Sequence, residues 1–212
     1  MKRFLFQGDS ITDAMRNRDN EKSINTGYVH IMASKMLLKY PGEFEFFNRG
    51  IGGNRIIDVY ARIKSDIINL KPDYMSLLIG VNDVWHELEL QNGIDSDKFK
   101  TLYRMLISEI KAARPDIKIY IMAPFLLKGS ETTENWEIFS AEVKKRAEAA
   151  KEIAQEFNLT FIPLQEEFDK ALLKMPEEYW VRDGVHPLEA GQALIADVLL
   201  KHFEKDIKEW IL

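Results

Sequence analysis

The chain has 212 residues, 46% of them hydrophobic, no cysteine, and 29 Lys and Arg against 34 Asp and Glu for a formal charge of -5. That length buries roughly 70% of the unfolded surface in one core, so a single domain over residues 1–212 is expected to fold without staples, and the missing cysteines exclude disulfides, thiolate metal sites and a cysteine nucleophile. The basic residues are spread along the amphipathic stretches, which argues against a nucleic-acid partner, and no run approaches the ~20 apolar residues of a membrane span.

In chain order, residues 2–7 read as a buried strand. The apolar run behind Lys2 and Arg3 ends at Gln7, too short for the core of a secretory signal, so the expected location is the cytoplasm. Residues 27–40 form a helix with Val29, Ile31, Met32, Met36 and Leu37 on its apolar side, residues 43–48 a second strand, and residues 55–70 a second helix with Ile56, Val59, Tyr60, Ile63 and Ile67 at helical spacing. Residues 74–79 make the third strand, ended by Gly80, and residues 97–114 the third helix, capped at Ser96 and stopped by Arg114-Pro115. A fourth strand at 117–122, a charged helix at 136–157, a fifth strand at 159–162, a short helix at 165–175, a loop at 176–187 and a closing helix from 188 complete the chain.

Five strands alternating with helices predict a three-layer α/β/α fold around a five-stranded parallel sheet. Right-handed crossovers favour the flavodoxin-like order 2-1-3-4-5, whose ligand crevice opens at the carboxyl ends of strands 1 and 3. Polar residues gather at that edge. Strand 1 runs into Gly8-Asp9-Ser10, strand 2 into Asn48-Arg49-Gly50-Ile51-Gly52-Gly53-Asn54, strand 3 into Gly80-Val81-Asn82-Asp83, and the last loop carries Asp183-Gly184-Val185-His186. Each has a role in acyl transfer: Ser10 as nucleophile, His186 as base, Asp183 fixing the imidazole tautomer, and the backbone N–H groups of Ser10 and Gly53 with the Asn82 amide as oxyanion donors.

These four blocks resemble those of the SGNH, or GDSL-type, hydrolases, a family of esterases and acylhydrolases. The resemblance runs along the whole chain and implies the family's fold and the same five roles for Ser10, Gly53, Asn82, Asp183 and His186. Ile11 stands where the family name has leucine, and Val81 where many members have glycine. Gly53 is chosen over Gly50 and Gly52 by its spacing from Asn48. Within the family the chain is most similar to bacterial carbohydrate acetylesterases acting on acetylated xylan and xylo-oligosaccharides, through residues 8–13, 48–54 and 79–85.

Rival motifs fail on their own terms. Arg55 occupies the last glycine position of a dinucleotide fingerprint, and Thr12 the last glycine of a nucleophile elbow. A flavodoxin-like binding module without chemistry leaves the Ser, Asn and Asp/His coincidence unexplained. The expected partner is a small ester, an acetylated saccharide first, with Asp9, Trp85, His86 and Trp180 as substrate contacts and aromatic faces there stacking on sugar rings. A lysophospholipase or thioesterase is the alternative, and needs a long apolar groove of the kind Phe125-Leu126-Leu127 would line. No cofactor or metal is implied, His30 and His202 read as helix residues, and the chain leaves room for a homo-oligomer.

Overall fold

A computed structural model describes residues 1–24 and 26–211, the side chains of 208–211 aside. Strands β1 (Lys2–Gly8), β2 (Phe44–Asn48), β3 (Tyr74–Leu78), β4 (Lys118–Met122) and β5 (Thr160–Ile162) form one parallel sheet in the order β2-β1-β3-β4-β5. This is the expected order. Phe6 pairs with Asn48, Gly8 with Leu78 and Leu78 with Met122, so the carboxyl ends of the central strands lie level at one edge.

Helices cover both faces. They are α1 (Ser10–Asp13), α2 (Gly27–Lys39), α3 (Ile56–Ala61), α4 (Val81–Leu90), α5 (Ser96–Ala113), α6 (Trp136–Glu156), α7 (Leu164–Leu172), α8 (Glu177–Trp180) and α9 (Glu189–Ile211). Successive strand side chains point to opposite faces, and the core divides accordingly. Phe4, Phe6, Tyr74, Leu78, Tyr120 and Met122 pack with α2, α7 and α9, whereas Leu5, Met75, Leu77, Ile119 and Ile121 pack with α3, α5 and the second half of α6. On the first face Phe203 of α9 is fully buried and meets Phe4, Phe44, Tyr74 and Tyr120 edge-on, with ring centroids 4.9 to 6.1 Å apart. Removing such a ring from a core costs about 3–5 kcal/mol. No helix among the described residues is long and apolar enough to cross a membrane.

Several local expectations are corrected. The helix expected over 55–70 ends at Ala61 and continues as a π-helical turn, Lys64–Ile68. Arg62 sits at the break, its guanidinium drawn back to Gln7, Arg49 and Asn54. Ile56, Val59, Ile63 and Ile67 are buried as expected, but the Tyr60 hydroxyl turns out to Glu109. Asp95, not Ser96, caps α5, its carboxylate accepting the Lys98 N–H at 2.9 Å. In α2 the buried stripe is Tyr28, Val29, Met32, Ala33 and Met36, while Leu37 faces out. Phe125, Leu126 and Leu127 are core residues, 1–2% exposed, and line no groove.

Candidate active site

At the end of β1 the chain turns straight into α1. A Cβ on Gly8 would lie 2.3 Å from the Leu78 carbonyl oxygen, so only glycine fits between β1 and β3 there. Asp9 caps α1, one carboxylate oxygen accepting the Ile11 N–H at 3.0 Å. The group is buried, and that desolvation pushes its pKa up to about 7 against the opposing pull of the Ile11 N–H and nearby His186. Ser10 is therefore the first residue of a helical turn, held at the sheet edge by its neighbour's cap.

The Ser10 Oγ lies 2.9 Å from His186 Nε2, and His186 Nδ1 lies 2.8 Å from Asp183 Oδ2. The three-residue spacing of Asp183 and His186 has a local cause. Asp183 Oδ1 accepts the N–H groups of Val185 at 3.0 Å and His186 at 2.8 Å, folding the loop around its own carboxylate. Gly184 takes a φ of 102°, and a Cβ there would lie 2.3 Å from the Thr132 hydroxyl, so the turn needs glycine. Burial alone would raise the Asp183 pKa, but the His186 ring and the two backbone N–H groups outweigh it and hold the carboxyl well below its ordinary range. Arg182 reaches the same Oδ2 at 3.2 Å from a largely exposed side chain.

Three glycines follow β2, with different jobs. Gly50 is buried against α1, where a Cβ would lie 2.4 Å from the Asp13 N. Gly52 already donates its N–H to Asp13 Oδ2 at 3.0 Å. Gly53, with φ 79°, donates to no acceptor among the described residues, which leaves its N–H free for a ligand. Asn82 lies in the first turn of α4, 5% exposed, with one amide hydrogen on the Asn54 carbonyl at 3.1 Å and the other unassigned. The sheet edge thus brings together Ser10, the Gly53 loop, Asn82, Asp183 and His186.

The expected substrate contacts divide. Trp85 has its ring centroid 5.9 Å from that of His186, with Phe139 behind it at 6.0 Å. His86 lies against Gly53, its Cε1 3.8 Å from where a Cβ would be, and burial followed by the Arg55 charge lowers its pKa. Asp9 is occupied as a cap and is 1% exposed. Trp180 donates its indole N–H to the Met175 carbonyl and packs on Tyr179. His30 is exposed on α2 and His202 part-buried on α9, as expected of helix residues.

Beside Ser10 and His186 a pocket of about 640 Å³ opens, within the range of small-molecule sites, and Trp85 is not among its lining residues. Ser10, Gly52 and His186 form its catalytic-side wall; Ile11, Ile31, Pro187 and Leu188 supply apolar surface, and Asp13, Thr26, Arg182, Glu189 and Gln192 polar groups. Gln192 accepts the Tyr28 N–H at 2.8 Å, tying α9 to the start of α2 across the pocket. Sequence reasoning missed Asp13, Arg182 and Gln192. The first two had a signal in their closeness to Ser10 and Asp183, whereas Gln192 sits in an ordinary helical stretch. A hydroxyl on an imidazole that is itself held by a carboxylate is an arrangement able to attack an acyl carbon.

Comparison with known proteins agrees with this chemistry. Residues 6–194 match the GDSL-like lipase/acylhydrolase family. The chain is 32% identical over 210 residues to an acetylxylan esterase of Geobacillus stearothermophilus, covering 94% of this chain and 93% of that protein. A solved structure of that acetylxylan esterase superposes with a TM-score of 0.84 at 31% identity, covering 94% of this chain and 93% of that one. It has also been solved as catalytic mutants of a serine, an aspartate and a histidine. A GDSL-like lipase of Parabacteroides merdae superposes with a TM-score of 0.90 at 33% identity, covering 94% of each chain. The chain belongs to the GDSL-like lipase/acylhydrolase family and is a carboxylic ester hydrolase.

Proposed function

We propose that this esterase removes short acyl groups, acetyl above all, from saccharides such as acetylated xylo-oligosaccharides, with Ser10 as nucleophile, His186 as general base and acid, and Asp183 orienting the imidazole. The observation that carries the reading is the unbroken hydrogen-bonded chain from Ser10 Oγ through His186 to Asp183. Ser10 Oγ bonds to the acyl carbon as His186 Nε2 takes its proton. The oxyanion is met by the N–H groups of Ser10 and Gly53 and the free amide hydrogen of Asn82. Collapse breaks the ester C–O bond, and His186 returns the proton to the leaving alcohol. Water then repeats the sequence on the acyl-enzyme, freeing the acid and Ser10.

His186 lines the pocket and protonates the leaving oxygen, so the alcohol part of the substrate occupies the pocket, where Thr26, Glu189 and Gln192 offer hydrogen-bonding partners to sugar hydroxyls. The acyl group then lies toward Gly53, with Trp85 and His86 as its contacts. The relationship to an acetylxylan esterase supports the saccharide reading. The lysophospholipase or thioesterase alternative is disfavoured by the burial of Phe125, Leu126 and Leu127. Ser10→Ala should abolish acetate release from an acetylated xylo-oligosaccharide while leaving the circular-dichroism spectrum and melting unchanged; retained turnover in a clean preparation would refute the nucleophile.

A further inference from the structure

The donor on Gly53 is useful only if the flexible glycine-rich loop is held against the turn that carries the nucleophile. Three glycines in four residues do not hold themselves. The structure pins the loop from its start: Asn48 donates its side-chain amide to the Thr12 carbonyl at 2.7 Å and accepts the Gly50 N–H at 2.9 Å, and the Ile51 N–H reaches the Gly8 carbonyl at 3.1 Å. Gly53 is fastened on both sides: after it, Asn54 donates its N–H to the Ile51 carbonyl at 3.1 Å and accepts the Asn82 amide on its own carbonyl at 3.1 Å, and before it, toward the turn that carries Ser10, the tie is a single side chain. Asp13, the last residue of α1 and 5% exposed, accepts the Gly52 N–H at 3.0 Å.

A bare carboxylate beside an oxyanion site would repel the charge that develops there. Here it is compensated. Arg18 donates to the same Asp13 oxygen, and Arg16 Nε lies 3.7 Å from the other while donating to the Gly50 carbonyl at 3.2 Å. We infer that Asp13 is a positioning residue for the oxyanion hole: its carboxylate, neutralised by Arg16 and Arg18, clamps the Gly52 N–H so that the next N–H, that of Gly53, faces the carbonyl attacked by Ser10. The inference rests on the proposed roles of Ser10 and Gly53. One four-residue turn thereby carries the nucleophile at its first position and the anchor of the oxyanion loop at its last, so both shift together.

The test is kcat and KM of Asp13→Ala and Asp13→Asn on p-nitrophenyl acetate, expressed per serine titrated with a fluorophosphonate so that misfolded protein is not counted. Losing the clamp misplaces a donor by a fraction of an ångström or more, for which a fall on the order of 10²-fold in kcat is expected in Asp13→Ala, with KM nearly unchanged. Asp13→Asn keeps a carbonyl that can accept the Gly52 N–H and should recover most of that loss. An Ala variant with wild-type kcat per titrated serine, or an Asn variant as slow as Ala, would overturn the assignment. Hydrogen exchange in the unaltered protein gives a second measure that needs no variant: the Gly52 amide should be protected although its residue is exposed, and exchange at the unprotected rate would equally overturn it. Failure of the underlying reading looks different, since then the fluorophosphonate would not label Ser10 at all.

Discussion

In the proposed mechanism Ser10 Oγ gives its proton to His186 Nε2, 2.9 Å away, while Asp183 Oδ2 holds the far side of the ring at 2.8 Å. Asp9, pushed up to about 7 by burial, titrates one residue from the proposed nucleophile, so kcat/KM on an acetyl ester is compared around pH 7 between the wild type and Asp9→Asn, which removes that titration. Asp183 stays ionised in this range, its carboxyl being held well below the ordinary range despite burial. Asp183→Asn should lower kcat by about 10⁴-fold, less than the roughly 10⁶-fold expected of His186→Ala. An Asp183→Asn variant with wild-type kcat, under conditions where chemistry limits the rate, would count against Asp183 as the partner of the base. Much of this was legible in the sequence because residue type and spacing carry it: Asp183 and His186 are three apart in one turn and need no fold to meet. Asp13 was not legible as an anchor, since its partner Gly52 is 39 residues away and nothing in either residue marks the pair.

At the scale of elements, two of the proposed catalytic groups lie in the first turns of helices that begin at the sheet edge, Ser10 on α1 and Asn82 on α4. The strands were readable from their apolar runs, but α4 was hidden, because Gly80-Val81-Asn82-Asp83 has the composition of a loop. What holds α4 is tertiary: both carboxylate oxygens of Asp83 face the Ile56 N–H, at 3.1 and 3.2 Å, and tie α4 to the start of α3. Burial pushes the Asp83 carboxyl up to about 7, against the Ile56 N–H and the Arg146 charge. An unfolded aspartate titrates near 3.9. Below about pH 4 both states are protonated and the contribution is whole; from there to about pH 7 the folded state binds more protons than the unfolded, so stability from this group falls as pH rises, by at most about 1.4 kcal/mol per pH unit. Asp83→Asn should flatten that decline in urea unfolding measured at pH 4.5, 5.5 and 7. An unaltered slope would mean that Asp83 does not titrate in this range, and that another buried group, Asp9 first, produces it.

For the whole molecule, the parallel sheet is what makes four loops from distant parts of the sequence converge, because every strand ends at the same edge and the order β2-β1-β3-β4-β5 sets β1 between β2 and β3. Sequence pattern predicts that edge; it does not predict the pocket beside it, which arises where α1, the start of α2 and the start of α9 meet and where Gln192 closes the joint on Tyr28. In the proposed function the pocket sets which alcohols suit the enzyme. On that proposal its polar groups Thr26, Glu189 and Gln192 meet sugar hydroxyls of the leaving alcohol and the acyl group faces Trp85, which packs on Phe139, while the apolar segment 125–127 that a long chain would need is buried in the core. An acyl chain beyond a few carbons then leaves its methylenes in water and forgoes the roughly 0.8 kcal/mol that burying each would contribute. Across p-nitrophenyl esters from acetyl to octanoyl, kcat/KM should fall steeply, and Trp85→Ala should relax the fall by opening the acyl side. Gln192→Ala should instead raise KM for an acetylated xylo-oligosaccharide while leaving KM for p-nitrophenyl acetate close to wild type, since only the saccharide reaches that wall. A flat or rising chain-length profile, or equal effects of Gln192→Ala on both substrates, would reverse the assignment of the two sides and favour a lipid-directed acylhydrolase.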